Sequence, residues 1–152
     1  MENLIKIGEV AKQAKITVET LRFYQKEQLL TPQHTSVSGY RLYSALDQQK
    51  LNFILHSKKV GFSLSEIKQL LSLRTDKDQH TCEEVKHYTG DKINEIESKI
   101  RDLQKMSQAL SNLHDACCGG AESAKQCTIL NSLEDPNLFA NTNNQTLGKK
   151  HD

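Results

Sequence analysis

No run of about 18 apolar residues occurs in this chain, so no stretch is long and apolar enough for a membrane-spanning helix. The start, Met1-Glu2-Asn3-Leu4, carries no secretory hydrophobic region. The expectation is a cytoplasmic protein whose four cysteines are reduced. In such a setting clustered thiols bind metal more often than they form disulfides. Also missing are a phosphate-cradling loop, a nucleophile–base constellation and an open three-ligand zinc motif, so no enzyme is expected. Apolar residues are scarce: 36% of 152, with a mean hydropathy of −0.62. That is little for one compact core, and it fits a small globular head joined to an exposed helix. A net charge of +1 conceals a division. Residues 1–72 hold ten Lys/Arg and six Asp/Glu, net +4; residues 73–152 hold ten and thirteen, net −3. A basic head on an acidic stalk is compatible with nucleic-acid binding by the head.

What is abundant is helical periodicity. Between T-C-E-E at 81–84 and C-C-G-G at 117–120 the pattern is unbroken. Ile93, Ile96, Ile100 and Leu103 recur by three and four, the seam spacing of a coiled coil. The stripe resumes at Met106, Leu110 and Leu113, with Ser107 marking a slip. Thr81 and Glu84 form a capping box, and Gly119 and Gly120 are stop signals. One helix of roughly 36 residues, about 54 Å long, follows. Cys82 heads it and Cys117 and Cys118 close it, so they cannot meet within one chain. They can meet between two copies packed antiparallel, and a single apolar stripe on so long a helix needs a partner. The expectation is a homodimer with two thiol-rich sites built across its interface.

Upstream, residues 6–14 read as a short helix with Ile7, Val10, Ala11 and Ala14 inward. A second helix is capped by Thr17, with Glu19 in its first turn and Leu21 inward. Together they make a helix-turn-helix over about residues 7–26. Lys15 and Arg22 would neutralise phosphates, and Thr17 lies beside them at the helix start. Thr20 and Tyr24 would hydrogen-bond to DNA backbone or base edges. Ser38-Gly39 signals a turn, and Tyr40, Leu42 and Tyr43 carry strand chemistry. This is a wing over about residues 38–43, with Tyr40 and Arg41 at the phosphates. Capping boxes at Ser44–Asp47 and Ser63–Glu66 open two more helices. The first is expected to bury Leu46, Leu51, Ile54 and Leu55, the second Leu64, Ile67, Leu70 and Leu71. Residues 74–80 form a polar hinge, residues 119–135 a loop and short apolar helix, and residues 136–152 a disordered tail.

I-G-E-V-A-K at 7–12, T-L-R-F-Y at 20–24, G-Y-R-L-Y at 39–43 and V-G-F-S-L at 60–64 together resemble the MerR family of transcription regulators. H-T-C-E-E at 80–84, D-A-C-C-G-G at 115–120 and Cys127 resemble its zinc-responsive ZntR subgroup more narrowly. The resemblance covers about residues 4–134. It implies a mostly α fold: a winged helix-turn-helix over residues 1–73, then an antiparallel coiled-coil helix over 81–118 and a metal-binding loop. It implies a homodimer on an inverted repeat in promoter DNA, which distorts that DNA for RNA polymerase when metal binds. It also implies the ligands: Cys117 and Cys127 with Cys82 of the partner subunit in one site, and Cys118 in a second, adjacent one.

This chain departs from the subgroup at one position. Four residues after Cys118, where the subgroup pattern has histidine, stands Glu122. Carboxylate still binds zinc but is a harder ligand, and His114, one turn before Cys118, is an alternative donor. Thiolates select soft or borderline ions, so the expected inducer is Zn(II), with Cd(II), Pb(II) or Hg(II) as alternatives and up to two ions per site. A thiol-redox sensor using the same cysteines is the rival reading.

Overall fold

The computed structural model describes residues 3–140. It is built from six helices and a small sheet among those residues. The chain divides into two compact units, Met1–Ile93 and Asn94–Asp152.

In the first unit, strand β1 (Ile5–Lys6) runs straight into helix α1 (Ile7–Ala14). A tight turn with Lys15 in the left-handed region, φ 57°, leads to α2 (Val18–Lys26). Thr17 caps α2 as expected: its hydroxyl accepts the Thr20 N–H at 3.1 Å. Strands β2 (His34–Thr35) and β3 (Arg41–Tyr43) form the wing. The wing turn closes through Ser36 and Gly39, the latter at φ 86°, a conformation glycine adopts without strain. The sheet has the order β1-β3-β2, all antiparallel, with Ile5 opposite Tyr43 and His34 opposite Leu42. The sequence reading has the hairpin but not β1, a two-residue strand whose pairing is wholly long-range.

Helices α3 (Ala45–Lys59) and α4 (Leu64–Thr75) start at complete capping boxes on Ser44–Asp47 and Ser63–Glu66. Their inner faces join α1, α2 and the sheet around one core. Leu21, Leu30, Tyr43 and Ile54 are entirely shielded there, with Leu51, Ile67, Leu70 and Leu71 beside them. Leu46 is a correction: expected inward, it is 67% exposed. At 100° per residue it lies about 140° round the helix from Leu51, off the inner face.

Most of the segment expected as a hinge is ordered structure: the end of α4 and a 3-10 turn over Lys77–Gln79. Helix α5 (Cys82–Ala116) follows. Thr81 accepts the Glu84 N–H at 3.2 Å, while the Glu84 carboxylate takes His80 Nδ1 at 2.7 Å. The first three turns of α5 belong to the head. Tyr88 packs against the core. Lys92, only 5% exposed, reaches Glu66 Oε1 at 2.9 Å and lies 5.5 Å from the Phe62 ring centre. A buried ammonium held this way is paired at once to a carboxylate and to a π face.

In the second unit α5 continues to Ala116, and Ile96, Ile100, Leu103, Met106 and Leu110 are all exposed on the single chain. Gly119, at φ 69°, turns the chain out of the helix. A 3-10 turn over Ala124–Gln126 then leads to α6 (Thr128–Glu134). Of the tail expected to be disordered, residues 136–140 form hydrogen-bonded turns and the rest lies outside the described residues.

Candidate nucleic-acid interface and metal-binding segment

Helix α2 and the wing face one another across an open concavity of about 600 Å³. Its lining includes Lys6, Arg22, Gln25, Tyr40 and Arg41, together with Gly8 and Glu9 at the start of α1. Three cations against one carboxylate make it an anion-seeking surface. No side chain caps α1, so the first amides of that helix add their partial positive charge. Lys6 lies 5.6 Å from the Tyr40 ring centre, which holds the exposed tyrosine at the rim. Arg22 and Arg41 are exposed, as their expected role requires. Lys15 is exposed in the turn, and Thr17 and Thr20 share a 2.8 Å hydroxyl contact at the helix start.

Tyr24 does not belong to this surface. It is 1% exposed, and its hydroxyl is buried with no hydrogen-bond partner among the described residues. The expected DNA contact is therefore corrected to a core role. The reason was legible: Leu21, assigned inward, is three residues earlier, and residues three apart share a helix face. Conversely, Lys6 and Gln25 line the concavity although neither is among the expected contacts. Lys6 reaches the concavity through the β1–β3 pairing, which no local pattern signals; Gln25, three residues after Arg22, shares its helix face.

In the second unit the loop folds Cys127 back beside Cys117, both half-buried. Cys127 is the N-cap of α6, and its thiol is held below the ordinary cysteine value. Hydrogen bonding from the Leu130 N–H is the main cause, with the Ile129 N–H and the Cys117 thiol adding to it against partial desolvation. Cys118, Glu122 and His114 are exposed. Cys82 is exposed at the first position of α5, in the other unit. All four thiols are free, and among the described residues no three His, Cys, Asp or Glu side chains gather closely enough to hold an ion. Of the expected ligands the structure brings together Cys117 and Cys127, and among the described residues no third His, Cys, Asp or Glu side chain joins them. A pair of neighbouring cysteine thiols fits a zinc-class ion in softness, and supplies part of a four-coordinate set.

Residues 5–73 match the MerR HTH family regulatory protein description, and residues 48–113 match MerR, DNA binding. The HTH-type transcriptional regulator ZntR of Escherichia coli K12 is 44% identical over 86% of this chain and 93% of its own length. A probable heavy metal-dependent transcriptional regulator of Haemophilus influenzae is 42% identical over 84% of this chain and 97% of its own. Among solved structures, the transcription regulator PbrR691 from Ralstonia metallidurans, in complex with lead(II), superposes with a TM-score of 0.74. It is 35% identical and covers 85% of this chain and 98% of its own. With relatives this similar along nearly their whole length, and with the helix-turn-helix and wing in place, the chain belongs to the MerR family of helix-turn-helix transcriptional regulators.

Proposed function

We propose that this chain is a zinc-responsive transcriptional activator. It binds promoter DNA as a homodimer and switches on a zinc efflux or resistance gene in the cytoplasm. Residues 1–73 are the DNA-binding head and residues 81–118 the dimerising helix, joined through 74–80; residues 119–135 carry the metal ligands. On DNA, Arg22 from α2 and Arg41 from the wing neutralise phosphates, and Lys15, Thr17, Thr20 and Tyr40 hold the register. The exposed apolar stripe of α5 takes the same stripe of a second, antiparallel copy.

The observation that carries the metal reading is the pairing of Cys127, at the start of α6, with Cys117. Cys82 of the partner subunit completes that thiolate set, and Cys118 with Glu122 or His114 offers a second position. Zinc held there would tie the two subunits together and order residues 119–135 against the dimer. The chain's own part is to present thiolates and to pass the ordering to the heads, so that RNA polymerase meets a distorted promoter. The likeness to a regulator crystallised with lead(II) supports Pb(II) as a surrogate inducer, and thiolate softness extends that to Cd(II) and Hg(II).

The test is metal stoichiometry and transcriptional output of the purified protein, titrated with each of the four ions. Zinc should activate, a chelator should reverse it, and Cys82→Ser should keep DNA binding while losing the zinc response. Activation by peroxide without metal, blocked by reductant, would instead favour the thiol-redox reading.

A further inference from the structure

Two guanidiniums flank the concavity, Arg22 on α2 and Arg41 on β3. Phosphates along a DNA strand have fixed spacing, so the span between helix and wing decides whether both arginines engage together. Core packing of Leu21 and Tyr24 fixes α2 against the sheet, and a polar bridge beside the concavity adds to it. The Gln25 amide, three residues beyond Arg22 and so on the same face of α2, donates to the phenolic oxygen of Tyr43. Tyr43 lies two residues beyond Arg41 on the central strand and is fully buried. It is pinned opposite Ile5 of β1 and packed in the core, so it is a firm anchor. Gln25 is partly exposed and lines the concavity, so the bond joins the DNA-facing surface to the buried interior.

We infer that Gln25 and Tyr43 act as a positioning pair, setting the distance between recognition helix and wing so that Arg22 and Arg41 meet DNA phosphates at the same time. The inference rests on the DNA-binding reading and adds to it a buried residue, Tyr43, that stands behind the DNA-facing surface. Tyr43 is useful here because it cannot reach DNA itself. Any effect of its hydroxyl on DNA binding must pass through Gln25.

The test uses the full-length protein and a labelled duplex carrying the site that the wild-type protein selects from a random-sequence pool. Tyr43→Phe should weaken dimer binding about tenfold to a hundredfold, the equivalent of one ordinary hydrogen bond in each subunit. It should also lower the slope of log affinity against log salt by about two, because one phosphate contact is lost in each subunit of the dimer. Gln25→Met should do the same, and the double variant should bind no worse than either single one. Circular dichroism and thermal melting confirm that each variant is folded at the assay temperature. A role confined to stability would lower the melting temperature and leave affinity and salt slope alone, and that result overturns the inference. So do additive losses from the two substitutions, which would make Gln25 a direct DNA contact. Arg22→Ala separates this from the parent reading. If Arg22→Ala weakens binding and Tyr43→Phe does not, only the positioning role fails; if neither does, the DNA-binding face itself is wrong.

Discussion

All the buried apolar side chains of the described residues lie between Val10 and Leu71, whereas Ile93, Ile96, Ile100, Leu103, Met106 and Leu110 of α5 are exposed. The head has an interior of its own; the distal helix has a surface that resembles half of one. An apolar stripe of that length is not stable in water unless something covers it. The contrast teaches that the two regions should answer the same kind of substitution differently. In the head, removing apolar volume costs folding free energy. On the distal helix, it costs association.

The sharpest break is a core truncation. Ile54→Ala, at a fully shielded position, should destabilise the head by about 2–5 kcal/mol. Urea unfolding followed by circular dichroism measures it, and a shift below about 1 kcal/mol would mean that the core is not centred there. Next comes Ile100→Asp on the exposed stripe. It should leave the melting of the head unchanged while weakening self-association about tenfold or more, since a charge would then need burial between helices. Sedimentation velocity over a concentration series decides this, and unaltered association would take the stripe out of the interface.

A smaller effect lies where the two regions join. The Ser63 N–H, Lys92 and the Ser63 hydroxyl hold the Glu66 carboxyl at about 2, down from an ordinary 4.5. A carboxyl with a depressed folded value stabilises the protein above its unfolded value and loses that contribution as acid approaches the folded one. Stability should therefore fall from about pH 4.5 toward about 2. Glu66→Gln should flatten that part of the profile, and parallel wild-type and variant profiles would contradict the assignment. The smallest effect is local to the head. Gln28 holds φ 61° just after α2, where a side chain is strained. Gln28→Gly should raise stability by about 1 kcal/mol, visible as a higher urea midpoint without a change in DNA affinity.

Much of the architecture could be read without coordinates because its signals are local. Ser44–Asp47 and Ser63–Glu66 marked helix starts that the structure reproduces as complete capping boxes. The α5 periodicity and the glycines after Cys118 bounded that helix to within two residues of Cys82–Ala116. The misreadings have equally specific causes. The Tyr24 hydroxyl suits DNA, but its helix face points into the core; Leu46 is apolar, but its angle takes it off the inner face. Lys92 looks like any stalk lysine in sequence, yet it is buried because Glu66 and Phe62 stand within its reach.

The amino-acid order by itself determined where helices begin and end, that a basic head precedes an acidic stalk, and that cysteines stand at both ends of the long helix. These depend on neighbours within a few turns, where caps, periodicity and composition act. The tertiary structure alone decided that Ile5 pairs with Tyr43, that Gln25 bonds to Tyr43 and that Lys92 docks on Glu66. Those partners are separated along the chain by 18 to 38 positions. Which distant groups meet is settled by how whole faces pack, and a local pattern carries no record of that.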